Sequence, residues 1–170
     1  MTTTPPWLPP IISVDGEYHA VVRRLYEIFN RDFNLGRPRL GTLQVWWNRR
    51  TPPGDQYEEG FWHLITRKDK KTGERLHDPR RAERLPWCAP TICHHTDPAV
   101  KMWDYREANG KARTYVWLEH FDYVILFDNR KVRERKTGRE MKIAFLLTAY
   151  HLDGPWMNRS FRRKYEKRIT

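Results

Sequence analysis

The spacing of apolar residues changes once along this chain, after Asp97-Pro98, and that change restricts the fold more than any other feature. Over residues 17–31, Tyr18, Val21, Val22, Leu25, Ile28 and Phe29 fall on one stripe at helical spacing, with Arg23, Arg24 and Glu27 opposite. Asp15-Gly16 marks the start of this helix, and Asn34-Leu35-Gly36 with Pro38 ends it. Beyond Pro98 the pattern is that of strands at 101–106, 112–119, 123–127 and 142–150, with Asn109-Gly110 and Lys136-Thr137-Gly138 as turns. These four segments read as an antiparallel meander. The runs 123–127 and 143–147 are continuously apolar, as central strands covered by helices would be.

Between these regions, residues 42–47 suit a strand, and residues 57–67 suit a helix presenting Phe61, Leu64 and Ile65 together. Residues 68–75 read as a polar loop. Asp78-Pro79 supplies an N-cap and a first-turn proline for a helix over 80–85, which Pro86 interrupts before the apolar turn at 87–93. Residues 159–168 read as a short basic helix or frayed tail. The prolines of residues 1–16 favour an extended arm, because they lack the donors and torsional freedom of a helix. The expectation is one α+β domain over 17–170, with N-terminal helices packed on a C-terminal four-stranded antiparallel sheet.

The chain carries 32 Lys and Arg against 21 Asp and Glu, a net charge of +11, and such a surplus attracts polyanions. Residues 1–60 balance seven basic against seven acidic side chains, whereas residues 100–170 hold seventeen against nine. Arg130, Lys131, Arg133, Arg135, Lys136, Arg139 and Lys142 cluster about the last hairpin, and Arg162 and Arg163 lie in the tail; with Arg67 they are the candidate nucleic-acid contacts. Two cysteines and no apolar run long enough to span a bilayer point to a cytoplasmic protein without a membrane partner.

Three groups of residues could carry chemistry. His63 sits among large apolar neighbours on its helix, where partial burial can tune an imidazole for proton transfer. Strand alternation puts the Thr148 and Tyr150 hydroxyls on one face, about 7 Å apart. Arg81 and Arg84 share a helix face and could steady a phosphorane. Cys88, Cys93, His94 and His95 lack the spacing of a zinc knuckle, and Asp97, Asp104, Glu107, Glu119 and Asp122 are scattered, so no cofactor is expected.

Taken in order, the helix-borne His63-Leu64-Ile65, then Arg81-Ala82-Glu83-Arg84-Leu85-Pro86-Trp87, Tyr123-Val124-Ile125-Leu126 and Leu146-Leu147-Thr148-Ala149-Tyr150 resemble phage-associated members of the barnase, EndoU, colicin and RelE-like nuclease group. The resemblance runs from about residue 57 to 168 and leaves Val45-Trp46-Trp47-Asn48-Arg49-Arg50 without a role. It implies a metal-independent endoribonuclease of phage or toxin type, with RNA as substrate and an immunity or antitoxin protein as possible partner. His63 would be general base or acid, Arg81 or Arg84 the phosphate clamp, and Thr148 with Tyr150 the strand-end part of the site. Two other readings stay open: a non-catalytic nucleic-acid-binding protein of a phage or mobile element, and a protein that covers a site on another protein with a Trp-rich surface.

Overall fold

In the computed structural model, which describes residues 2–169, helix α1 (Tyr18–Phe29) begins where the Glu17 carboxylate accepts the His19 and Ala20 amides. That pair of bonds holds the Glu17 carboxyl below its ordinary pKa. The helix buries Val21, Val22, Leu25 and Phe29, then widens into a π-helical turn over Asn30–Leu35 that carries Phe33 into the same core. Gly36 follows because a Cβ there would lie 2.4 Å from the Asp32 carbonyl oxygen. The left-handed residue that turns the chain is Arg37, at φ 45°.

Strands β1 (Arg39–Leu40) and β2 (Leu43–Trp47) form a short hairpin, followed by α2 (Glu59–Ile65). A two-stranded ribbon of β3 (Thr66–Lys68) and β4 (Arg75–His77) leads into α3 (Pro79–Ala82), a 3-10 turn at Leu85–Trp87, and α4 (Cys88–Cys93). The chain then forms β5 (Val100–Arg106), β6 (Ala112–Leu118), β7 (Tyr123–Arg133), β8 (Glu140–His151) and α5 (Pro155–Glu166).

The main sheet has six strands in the order β1-β2-β8-β7-β6-β5, which corrects the expected four-stranded layout. The meander over β5 to β8 is antiparallel, but β2 joins it parallel to β8, with Gln44 opposite Ile143 and Trp47 opposite Leu146. A run as apolar as Ile143–Leu147 needs neighbours at both edges as well as cover on its faces, and β2 supplies the second edge. Helices are also spread along the chain rather than gathered at its start. The basic tail is α5, which lays Phe161 on the sheet face opposite α1 to α4.

Two cores result. One packs α1 to α4 against Val45, Trp47, Val116, Ile125, Phe127, Ala144 and Leu146. The other lies under α5 and contains Trp103, Tyr115, Trp117, Val124, Leu126 and Leu152. Residues of the N-terminal segment lie along the body without helix or strand. There the Trp7 indole donates to Asp97 at 2.8 Å, and Trp87 donates to the Pro9 carbonyl at 2.8 Å. Met1 of the expected arm falls outside the described residues.

Candidate active site

The pairing of β2 with β8 stops at Leu146, and a register irregularity in the β7–β8 ladder follows, between the Leu126–Thr148 and Phe127–Leu146 pairs. One residue, Leu147, is thereby left without a partner on β7. Beyond this point the edge of β8 is free of β2, and α2 and α3 pack there. Gly60 lets α2 approach: a Cβ at that position would lie 2.6 Å from Trp47 Cδ1, and the Gly60 amide donates to the Asn48 carbonyl at 2.8 Å.

His63, Arg81 and Thr148 meet at this junction. The Thr148 hydroxyl donates to the His63 carbonyl at 3.0 Å and accepts from an Arg81 guanidinium nitrogen at 3.1 Å. The same nitrogen donates to the Thr66 carbonyl at 2.8 Å, while Arg81 Nε lies 3.4 Å from an Asp78 carboxylate oxygen. Asp78 caps α3 through the Arg80 and Arg81 amides, so one carboxylate both starts the helix and steadies its arginine. The Arg81 guanidinium carbon stands 5.2 Å from the centre of the Tyr150 ring.

Of the five expected catalytic side chains, those of Arg81, Thr148 and Tyr150 therefore lie together with the main-chain carbonyl of His63; the His63 ring opens elsewhere, and Tyr150 packs on Phe161 in the core under α5. Arg84 is apart from them: it pairs with Glu83, donates to the Arg80 carbonyl at 3.0 Å and lies over the Trp87 ring.

The hollow on which His63 opens, about 460 Å³, is walled by Tyr18, Pro52, Asp55, Glu59, Trp62, Thr66 and Arg75, and Thr148 and Tyr150 are not among its walls. Partial burial and the positive charge of Arg75 push the His63 pKa below the ordinary histidine value, favouring a neutral ring at neutral pH. Burial raises the Tyr150 phenol, against the opposing pull of Arg81, so its proton is retained. Arg75 donates to the Thr66 hydroxyl at 3.3 Å.

Sequence reasoning passed over Arg75 and His77 because residues 68–75 read as a loop. In the ribbon, Thr66 at the end of α2 pairs in register with His77, whose ring is edge-on to Tyr18. His77 Nδ1 is buried without a hydrogen-bond partner among the described residues. The signal lay in the alternation Arg75, Leu76, His77, which is too short to separate from a loop.

The expected nucleic-acid contacts fall in three places. Arg67 is exposed on β3. The β7–β8 hairpin is exposed from Asn129 onward, apart from the partly buried Val132 and Met141; Arg130 pairs with Asp128 and Lys131 with Glu140. Arg133, Arg135, Lys136, Arg139 and Lys142 make no ion pair among the described residues. On α5, Arg162 is held by Glu119 at 3.0 Å, whereas Arg163 borders a shallow hollow with Trp156, Arg159 and Lys167.

Of the four residues weighed as zinc ligands, Cys88 is sealed in the core, where burial pushes its thiol up to about 12. His94 stacks on Trp7 at 4.6 Å. Among the described residues no group of three or more His, Cys, Asp or Glu is placed to hold a metal ion, and no helix is long and apolar enough to cross a membrane.

No family model matches this chain, and no curated protein and no solved structure shows a significant similarity to it.

Proposed function

We propose that this protein is an endoribonuclease that cuts RNA by attack of a ribose 2′-hydroxyl on its own 3′-phosphate. The observation that carries this reading is the open hollow that holds the His63 ring and Arg75, next to the junction where the His63 carbonyl, Thr148 and Arg81 are hydrogen-bonded. A neutral imidazole at position 63 takes the 2′-hydroxyl proton, the 2′-oxygen bonds to phosphorus, and the bond to the 5′-oxygen breaks. The products are a 2′,3′-cyclic phosphate and a 5′-hydroxyl.

Arg75, which faces the hollow, stabilises the charge on the phosphorane. Arg81 and Thr148 act through His63, since their polar atoms hold the end of α2 to β8. The leaving 5′-oxygen takes its proton from water in the open hollow, since His77, paired with Thr66, is not among the walls. A cytoplasmic site of action belongs to the same proposal.

The test is incubation of the purified protein with total RNA in excess chelator, alongside His63→Ala. Cleavage by the wild type and its loss in His63→Ala support the reading. Full cleavage by His63→Ala removes that residue from the mechanism.

A second reading, nucleic-acid binding without cleavage, is favoured by one observation. Arg81 spends a guanidinium nitrogen on the Thr66 carbonyl and the Thr148 hydroxyl, as a structural arginine does. Intact RNA after long incubation with excess wild-type protein decides for it.

A further inference from the structure

Of the stretch Val45-Trp46-Trp47-Asn48-Arg49-Arg50, the residues Val45, Trp46, Trp47 and Arg49 line a second hollow. Because β1 covers only the beginning of β2, with Leu40 opposite Leu43 and Arg39 opposite Gln44, the edge from Val45 to Trp47 borders a groove of about 750 Å³. Arg37, Arg39 and Arg49 line it, and no carboxylate among the described residues does. All three arginines are exposed. Arg49 lies over the Trp47 ring at 4.4 Å, and Arg37 is held in the left-handed region at φ 45°.

Trp46, also in the lining, is 37% exposed, whereas Val45 and Trp47 on either side point into the core. It therefore lies on the sheet face that α5 covers elsewhere. Its partner in register is Phe145, half-buried, and the Arg130 guanidinium stacks 3.6 Å from the Phe145 ring centre. The arginine-lined groove thus leads over two aromatic rings toward the basic β7–β8 hairpin.

From this juxtaposition we infer that the β2 groove and the Trp46–Phe145 face bind single-stranded RNA, with bases stacked on the rings and phosphates on Arg37, Arg39 and Arg49. An exposed indole face beside guanidinium groups fits an unpaired base on a polyanionic backbone, whereas a base paired in a duplex cannot stack on it. An acidic peptide matches the charge but leaves the exposed indole face without a partner. The inference goes beyond the cleavage reading and does not rest on it, because none of these residues walls the His63 hollow.

The test uses a fluorescein-labelled, fully 2′-O-methylated 12-nucleotide RNA, which cannot undergo 2′-hydroxyl attack, followed by fluorescence anisotropy. Trp46→Ala is expected to weaken binding on the order of 10-fold, and Trp46→Phe to keep most of it. Replacing Arg37, Arg39 and Arg49 together by alanine is expected to flatten the plot of log affinity against log salt by about 2. Circular dichroism checks that each variant is folded. Because this oligonucleotide cannot be cut through its 2′-oxygen, its binding is read apart from failure of the cleavage reading. Affinity in Trp46→Ala within 2-fold of wild type overturns the inference. So does an equal loss for duplex RNA, or displacement of the oligonucleotide by oligoglutamate at lower concentration than by unlabelled oligonucleotide.

Discussion

Thr148 spends its one hydroxyl proton on the His63 carbonyl and receives one from Arg81, so its removal leaves two partly buried polar groups short of a partner. Thr148→Val should cost about 1–3 kcal/mol of stability, read by urea denaturation, and Thr148→Ser should restore most of it. Titration at position 63 gives a second residue-scale outcome. The folded pKa is depressed, so the base is neutral, and cleavage complete, down to a pH below the ordinary histidine value of about 6.5. Arg75 contributes to that depression. Arg75→Gln should therefore move the acid limb of kcat/KM to higher pH while lowering the plateau, and an unmoved limb would show that Arg75 does not face the ring. The same depression affects folding: below about pH 6.5 the unfolded chain binds a proton that the folded one resists. His63 stability is thus present above that value and lost as pH falls toward the folded pKa. These residues stood out in the sequence because each type suits a step of proton or phosphate chemistry. Their hydrogen bonds were not, because Thr148 looked like a phosphate ligand when its partner is a main-chain carbonyl.

At the scale of elements, the site depends on α2 resting against the end of β2 and the free edge of β8. Gly60→Ala forces a methyl against Trp47 and the Asn48 carbonyl. It should cost about 1–3 kcal/mol and lower Tm by roughly 2–4 °C for each kcal/mol, as read by circular dichroism. The helix α1 was plain in the sequence because six apolar residues repeat at one period, and the strands from 101 to 150 were plain because turns punctuate them. What escaped was pairing between distant segments. Nothing local in Leu43–Trp47 says that it lies parallel to Ile143–Leu146, since the contact joins ends of the chain that only the folded core brings together. The ribbon of β3 and β4 escaped because an alternation confined to three-residue, mostly polar strands is too short to separate from a loop. With it went Arg75, the arginine that lines the His63 hollow.

Across the whole molecule, the surplus of positive charge is spread over the β7–β8 hairpin, α5 and the β2 edge rather than confined to the site. Replacing Arg133, Arg135, Lys136 and Arg139 by alanine should weaken RNA binding and reduce its salt slope, with little change in Tm, because these side chains form no ion pair among the described residues. A salt slope equal to that of the wild type would show that the hairpin does not touch phosphate. The central claim is that the junction of α2, α3 and β8 cuts RNA through its 2′-hydroxyl. The most direct measurement compares an unmodified RNA with its fully 2′-O-methylated counterpart under single-turnover conditions in chelator, with the product ends read by mass spectrometry. The account predicts that the unmodified RNA alone is cut, leaving a 2′,3′-cyclic phosphate and a 5′-hydroxyl. Cleavage of the methylated strand, or a 5′-phosphate on the product, would contradict it.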